Sequence, residues 1–121
     1  MKLEVIDTKK FKEEIFDYDK ENGEDFKFNK EKPVVLNFFA EWCGPCKAFT
    51  PSLEKAAENN IDKVKFFKVD IDKSEELASI FGIRSVPTTI VFPVNGTPTM
   101  INGNIGEAGI QRAVTEILGI K

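Results

Sequence analysis

The order of segments in the sequence predicts an α/β fold, with a central mixed sheet of about five strands and helices on both faces. The apolar run Val34–Phe39 has the composition of a central strand in a parallel sheet. Residues 64–70, in which Phe66, Phe67 and Val69 are apolar, predict a second central strand. A helical segment separates them, as expected for a crossover between parallel strands. A third strand over Thr88–Phe92 is followed by a turn at 93–98 and a strand over Thr99–Asn102, which predicts an antiparallel hairpin.

The segment before the first central strand is predicted to hold a short strand and a helix. Residues 3–6 predict the strand, and an amphipathic segment follows around Phe11 and Ile15. Residues 17–32 are rich in Asp, Glu, Lys and Asn and contain Gly23. That composition predicts a polar insert, either a loop or a frayed extension of the helix.

Three further helices follow from local signals. One is predicted from the cysteine motif to about residue 60, and Pro51 inside it predicts a kink. Asp72 and Glu75 have the spacing of a capping box and predict a short helix after the second central strand. The last helix is predicted over residues 107–118, where apolar side chains recur on one face.

Length and charge limit the classes of function. The chain has 121 residues and a formal net charge of −3, which suit one domain over residues 1–121. Opposite charges are mixed, without the basic stripe of a nucleic-acid-binding protein. The sequence has no apolar run of membrane-spanning length, and its N-terminus lacks a signal-peptide pattern. We therefore expect a monomeric cytoplasmic protein that binds neither nucleic acid nor membranes.

The two cysteines of the chain lie in the motif Trp42-Cys43-Gly44-Pro45-Cys46, directly after the first central strand. A Cys-x-x-Cys pair at the start of a helix places both sulfurs on one face. The two Cα atoms are then about 5–6 Å apart, a separation that suits a disulfide. The pair can open and close with little backbone movement, which predicts exchange between two thiols and one disulfide.

Two other roles are open to the cysteine pair: a structural disulfide or half of a zinc site. A disulfide that closes so short a loop constrains the unfolded chain little and adds little stability. Zinc usually takes four Cys or His ligands, whereas this sequence has two cysteines and no histidine. A redox role without a metal is therefore favoured.

Three separated segments together resemble the thioredoxin family over essentially the whole chain. They are residues 40–47 (AEWCGPCK), residues 82–88 (GIRSVPT) and Gly103 after the hairpin. The resemblance implies the thioredoxin fold and a thiol-disulfide oxidoreductase that mainly reduces protein disulfides. It implies no cofactor beyond the redox-active disulfide Cys43–Cys46. It also implies disulfide-containing protein substrates and, as electron donor, a flavin-containing, NADPH-dependent thioredoxin reductase.

The two cysteines are expected to differ in role. Unpaired N–H groups and the helix dipole favour negative charge at a helix N-terminus, so more of Cys43 is thiolate at neutral pH. The resemblance likewise implies that Cys43 is the exposed nucleophile and Cys46 the resolving thiol. Gly44-Pro45 is the dipeptide of reducing thioredoxins and favours the reducing direction. A specialised oxidant or isomerase, and a non-catalytic binding module of the same fold, are the alternatives.

One position departs from the family pattern. Thioredoxins carry a buried aspartate beneath the active site, which helps to deprotonate the resolving thiol and pairs with a lysine on the neighbouring strand. The matching residues here are Asn37 and Lys68. Because an amide cannot take a proton, Cys46 would deprotonate more slowly unless Glu41 reaches it through water. The alternative is that Asn37 merely completes a buried polar network and turnover is little changed.

Several environments are open to Lys68, because an unpaired buried ammonium is costly. It could pair with Glu41, extend its charged end to solvent, or stay buried with a lowered pKa. A solvated lysine on the strand, without any catalytic role, is an equally good interpretation.

The residues around the cysteines predict a docking face for substrates, with Trp42 as a partly exposed contact surface. The other members are Gly44, Pro45, Ser85, Val86 and Gly103. The resemblance implies that the Val86–Pro87 peptide bond is cis and faces the cysteines. The backbone of Val86 could then pair with a substrate as an added strand.

The rim of this face is more polar than in typical members of the family. Asn102 and Asn104 flank Gly103, where thioredoxins usually carry small apolar residues. A polar rim should weaken apolar docking and narrow the range of partners.

Overall fold

The structure, a computed structural model, describes residues 2–18 and 31–120 of the chain. The polar insert predicted at 17–32 lies mostly outside the described residues. The predicted α/β fold is confirmed, because the described residues form one mixed five-stranded sheet and four helices.

The strands of the sheet, β1 to β5, span Glu4–Val5, Val34–Phe39, Lys65–Asp70, Thr88–Phe92 and Thr99–Asn102. Their order across the sheet is β1-β3-β2-β4-β5. Strands β1 and β2 both pair parallel with β3, whereas β4 pairs antiparallel with β2 and with β5. Strand β2, which ends just before the cysteine motif, is therefore the centre of the sheet.

The helices of the described residues, α1 to α4, span Thr8–Glu14, Gly44–Asn59, Glu75–Ile80 and Gly106–Glu116. Asp7 caps α1, because its carboxylate accepts the backbone N–H of Lys10 at 2.8 Å. Helix α2 continues through Pro51, and Pro45 lies in its first turn, where a missing N–H is tolerated. The bounds of α4 differ by one or two residues from the predicted range 107–118.

The capping box predicted at the start of α3 is wrong. Ser74, and not Asp72, is the N-cap residue, and no side chain caps this helix. In the turn that leaves β3, the backbone N–H of Asp72 donates to the carboxylate of Asp70 at 2.9 Å. The carboxylate of Asp72 accepts the indole N–H of Trp42. A tertiary contact therefore uses the side chain that the local pattern assigned to the helix.

Alternate residues of the central strands face two different layers of helices. On one face, α1 and α3 cover an aromatic-rich core that includes the fully buried Phe11, Phe38 and Phe92. On the other face, α2 and α4 cover a second core, to which they contribute Phe49 and Ile110. Burial of each such side chain contributes about 1.5–3 kcal/mol, so these two layers hold the helices on the sheet.

A row of polar side chains crosses the face of the sheet that α2 covers. Lys68, Asn37 and Thr89 are register partners on the adjacent strands β3, β2 and β4. Val35, two residues before Asn37, belongs to the core under α2 and α4. Because residues two apart on a strand share a face, the polar row (Lys68, Asn37 and Thr89) lies on the same side as α2.

The aromatic core can be tested at Phe11, which is fully buried and whose ring centroid lies 5.6 Å from that of Phe81 and 6.4 Å from that of Phe92. Phe11→Ala is expected to lower the free energy of unfolding by about 3–5 kcal/mol, because it removes buried apolar surface and leaves a cavity. Urea unfolding followed by circular dichroism measures the change.

The control for this variant is Ile61→Ala, which shortens a side chain that is 56% exposed. It should change the free energy of unfolding by no more than about 0.5 kcal/mol. Similar losses in the two variants would contradict the assignment of Phe11 to the core.

Candidate redox site

The two cysteines form a disulfide at the N-terminus of α2, just after β2 ends. Cys43 is the N-cap residue of the helix, and Cys46 lies in its first turn. Their Cα atoms are 5.3 Å apart, which confirms the separation predicted from helix geometry. The structure therefore represents the oxidised state of the pair.

The sulfur of Cys43 lies where the backbone of α2 can stabilise negative charge. The N–H of Cys46 points at this sulfur, with an N···S distance of 3.1 Å. The first N–H groups of a helix lack partners within the helix, and the dipole adds positive character there. After reduction, the same groups stabilise a thiolate on Cys43.

Both cysteines are largely enclosed, with only 4% of each residue exposed. The expectation that Cys43 is an exposed nucleophile is therefore wrong for the oxidised state. The sulfur of Cys43 is bonded to that of Cys46, and Ala40, Ile71 and Val86 pack around the pair. A substrate must therefore fit closely against this surface to reach the sulfur.

The loop before β4 faces the disulfide. The Val86–Pro87 peptide bond is cis, as the family resemblance implies. The carbonyl oxygen of Val86 lies 3.6 Å from Sγ of Cys43. The N–H of Gly103 donates to the carbonyl of Pro87 at 2.8 Å, which links the end of β5 to the same loop. The structure thus brings Cys43, Val86, Pro87 and Gly103 into one small area.

Four exposed residues belong to the same predicted docking face. Trp42 is 70% exposed, and its indole N–H donates to Asp72 at 2.8 Å. Gly44 and Pro45 are exposed at the start of α2, and Ser85 is exposed in the loop before β4. The hydrogen bond to Asp72 keeps the ring of Trp42 in a defined position although most of it faces solvent.

Asn37 lies beneath α2 and does not reach the docking face. It is 2% exposed, and its amide nitrogen donates to the hydroxyl of Thr89 at 3.2 Å. Since neither an amide nor a hydroxyl titrates in the neutral range, the charge of the polar row is carried by Lys68 alone.

Lys68 is half-buried on the same face. Its Nζ donates to Oγ1 of Thr50 at 2.9 Å and lies 4.2 Å from the centre of the Phe39 ring. Burial lowers the pKa of Lys68 from its usual value of 10.5, and the charge of Glu54 opposes that shift. Of the environments that the sequence left open to Lys68, the structure corresponds to the one with a lowered pKa. The carboxylate of Glu41 lies instead beside a different, exposed lysine, at 3.9 Å.

An open cavity of about 470 Å³ lies beside the first turns of α2. Its lining residues are Phe39, Ala40, Glu41, Cys46, Lys47, Thr50 and Lys68. The cavity gives solvent a route toward the second cysteine on the side where Lys68 lies. Asn37 is not part of its lining, so Lys68 is the member of the polar row that faces this space.

Neither a metal cluster nor a membrane-spanning helix occurs in residues 2–18 and 31–120. In these ranges, no three or more His, Cys, Asp or Glu side chains are grouped so that they could hold a metal ion. No helix there has both the length and the apolar composition needed to cross a bilayer.

Comparison with known proteins identifies the family. The family model described as Thioredoxin matches residues 4–116. The chain belongs to the thioredoxin family. A thioredoxin of Borreliella burgdorferi is 33% identical over 105 residues, which cover 87% of this chain and 88% of that protein.

Solved structures of thioredoxins have the same fold. Chloroplastic thioredoxin z superimposes with a TM-score of 0.81, over 99% of this chain and 97% of its own, at 25% identity. The thioredoxin of Malassezia sympodialis (Mala s 13) superimposes with a TM-score of 0.72, over 94% of this chain and 89% of its own, at 33% identity. The predicted thioredoxin fold is therefore confirmed.

Membership of the thioredoxin family fixes the general chemistry. The chain is a thiol-disulfide oxidoreductase that works by dithiol-disulfide exchange at the Cys43–Cys46 pair. Its substrates are proteins that contain disulfides, and thioredoxins work with this redox-active disulfide in place of a bound cofactor.

Two residues of this thioredoxin site were not predicted. Thr50 lies four residues after Cys46 and therefore one turn along the same face of the helix. That spacing could have indicated that Thr50 lies near the site. Its contact with Lys68 depends on how α2 lies on the sheet. Asp72 was assigned to a helix cap, and only the folded chain brings it to Trp42.

The loop beside the cis peptide bond can be tested at Gly103, whose φ is +89° and where an added Cβ would meet no atom within 4 Å. Gly103→Ala is expected to lower the free energy of unfolding by about 1–2 kcal/mol, because the left-handed region is strained for residues with a Cβ. Urea unfolding of the oxidised protein measures the loss.

Gly44→Ala is the matched control, because a Cβ there also meets nothing within 4 Å and the residue is not among the glycines with positive φ. At the start of α2, alanine should leave stability unchanged or raise it by up to about 1 kcal/mol. Equal losses at both positions would rule out backbone conformation as the cause.

Proposed function

We propose that this thioredoxin acts mainly as a reductant of protein disulfides, with Cys43 as the nucleophile and Cys46 as the resolving thiol. The observation that carries the proposal is the N-cap position of Cys43, where the N–H of Cys46 lies 3.1 Å from its sulfur. The hydrogen bond from the N–H of Cys46 and the helix dipole favour the thiolate of Cys43, which is the attacking species. Gly44-Pro45, the dipeptide typical of reducing thioredoxins, supports the reducing direction.

Reduction proceeds through two displacements at sulfur. The Cys43 thiolate attacks one sulfur of a substrate disulfide, and the other substrate sulfur leaves as a thiolate and takes up a proton. Cys46 then releases its proton to solvent and attacks Sγ of Cys43 in the mixed disulfide. The second substrate sulfur leaves and is protonated in turn. The substrate is now a dithiol, and the protein carries the Cys43–Cys46 disulfide observed in the structure.

The substrate is proposed to bind as an extended segment along Val86. The carbonyl oxygen of Val86 lies 3.6 Å from Sγ of Cys43, so a chain paired with this backbone would pass close to the reacting sulfur. Main-chain pairing of this kind provides affinity with little dependence on substrate sequence. Trp42, 70% exposed and held by Asp72, provides an apolar contact beside it.

The rim around Gly103 is proposed to make substrate choice narrower. The side-chain oxygen of Asn104 accepts the N–H of Gly106 at 3.0 Å. The side chain of Asn102 lies 3.1 Å from the hydroxyl of Thr88, whose single proton goes to the carbonyl oxygen of Ser85 at 2.7 Å. With its oxygen engaged, the exposed side chain of Asn104 presents its NH₂ group as a donor. Substrates that offer acceptors here are favoured over purely apolar ones.

An NADPH-dependent thioredoxin reductase is proposed as the electron donor, and the cytoplasm as the location. Membership of the family supports the donor, since such a reductase is the usual partner of thioredoxins. The need to regain the dithiol after each cycle supports the location, because the cytosol keeps thiols reduced.

Reduction of insulin disulfides, with dithiothreitol as electron source, tests the direction of the reaction. The wild type is expected to accelerate reduction strongly, and Cys43→Ser is expected to abolish the acceleration because no sulfur remains to form the mixed disulfide. Ala108→Ser, an exposed change on α4, is the matched control and should keep the wild-type rate. Circular dichroism checks that all three proteins are folded.

Each alternative function has its own signature in this experiment. A folded wild type that does not accelerate insulin reduction would contradict the proposal and support a binding module. Oxidation of a reduced substrate that outpaces insulin reduction would support an oxidant or isomerase instead.

The departure from the family at Asn37 generates a second test. Asn37→Asp is expected to reduce insulin several-fold faster than the wild type near neutral pH, because a carboxylate can accept the proton of Cys46 and an amide cannot. Asn37→Leu, which also lacks a titratable group, is the control and should give no acceleration. Equal rates for Asn37→Asp and the wild type would show that Asn37 only completes the polar row.

A further inference from the structure

An ammonium and a hydroxyl are linked by hydrogen bonds to the backbone of Cys46. Nζ of Lys68 donates to Oγ1 of Thr50 at 2.9 Å, and the hydroxyl of Thr50 donates to the carbonyl oxygen of Cys46 at 3.0 Å. The same three residues line the open cavity beside α2. These two hydrogen bonds connect β3 to the first turn of α2 on the Cys46 side of the disulfide.

The sheet provides no carboxylate to neutralise this ammonium. The register partner of Lys68 on β2 is Asn37, which is neutral and donates to Thr89. The ring of Phe39, 4.2 Å from Nζ of Lys68, is a favourable but uncharged neighbour. The positive charge is therefore directed toward the cavity that Cys46 lines.

Three other charged side chains act on this region. Glu41 and Lys47 line the same cavity, and Glu54 acts on Lys68 from α2. The carboxylate of Glu41 lies 3.9 Å from the ammonium of Lys73. Glu54 favours the charged form of Lys68, in opposition to the effect of burial.

We propose that Thr50 is a positioning residue that holds the ammonium of Lys68 beside Cys46, and that this charge stabilises the Cys46 thiolate. The hydroxyl of Thr50 has a single proton, which it gives to the Cys46 carbonyl, so its lone pairs are left for Lys68. The proton of Cys46 passes to solvent through the cavity, and the fixed positive charge favours the thiolate that remains. The inference rests on the proposed role of Cys46 as resolving thiol.

The acidity of Cys46 can be measured directly in a Cys43→Ser background, where Cys46 is the one remaining thiol. The ultraviolet absorbance of the thiolate is recorded against pH, with a protein lacking both cysteines as the blank. Thr50→Val, which removes the hydroxyl and keeps the shape, is expected to raise the midpoint by about 0.5–1 pH unit. Thr50→Ser keeps the hydroxyl and should keep the midpoint.

A second arm tests the charge without changing Thr50. Lys68→Met is expected to raise the midpoint of Cys46 by a similar amount, whereas Lys68→Arg keeps the positive charge and should raise it less. If Thr50 acts through Lys68, adding Thr50→Val to Lys68→Met gives little further shift. Circular dichroism and thermal unfolding identify any variant that does not fold.

Two results would overturn the inference. One is an unchanged midpoint in either Thr50→Val or Lys68→Met. The other is a Thr50→Val shift of full size in the Lys68→Met background, which would mean that the hydroxyl acts without the ammonium.

The titration is independent of turnover, so it separates this inference from the proposed reductase function. A protein that fails to reduce insulin but shows the expected midpoint shifts would contradict the function and support the role of Thr50. A protein that reduces insulin but shows unchanged midpoints would support the function and contradict the role of Thr50. In a competent reductase, the pH profile of insulin reduction should shift upward in Thr50→Val and not in Thr50→Ser.

Discussion

The packing of α2 on the sheet fixes the positions of both sulfurs and of the groups that act on them. Phe49 and Leu53 of α2 are buried in the core under α2 and α4, and this apolar contact sets the place of the helix. Its N-terminus then lies just past the end of β2, with Cys43 at the N-cap. The helix dipole and the free N–H groups act only within the first turn. A helix that began at a residue further along the chain would leave Cys43 an ordinary thiol.

Helix α2 also covers the polar row, whose burial would be destabilising if the helix offered only apolar side chains. A buried polar group without a partner costs about 1–3 kcal/mol. Asn37 meets this requirement through Thr89, and Lys68 meets it through Thr50 on the helix itself. The bond that lowers the cost of burying Lys68 therefore also determines where its charge lies. In this way a requirement of stability and the electrostatics of Cys46 are coupled.

The docking face is assembled from parts of the chain that are far apart in sequence. The turn after β3 holds Trp42 through Asp72, and the end of β5 holds the loop before β4 through the bond from Gly103 to Pro87. Each of these contacts is a single hydrogen bond between two loops that rigid strands position. The face can therefore keep its shape although several of its members are exposed and both sulfurs are almost enclosed.

Local patterns in the sequence determined the elements and the reacting pair. The apolar run at Val34–Phe39 predicted the central strand, and the Cys-x-x-Cys spacing predicted a Cα separation that the structure gives as 5.3 Å. These features follow from the period of a strand or a helix, so a short stretch of sequence contains all the information they need. The cis bond at Pro87 was available only through resemblance to the family, because X-Pro bonds are usually trans.

Tertiary structure alone decided the partners of Asp72 and Thr50 and the burial of Cys43. Asp72 is 30 residues from Trp42, and Thr50 is 18 residues from Lys68. Such contacts depend on how separate elements pack, and a local pattern such as the capping box at Asp72 competes with them. The enclosure of Cys43 likewise arises from neighbours such as Val86, which lies in the loop before β4, far from Cys43 in the sequence. Helix and strand periods fix what lies along one element, whereas packing between elements fixes which side chains meet.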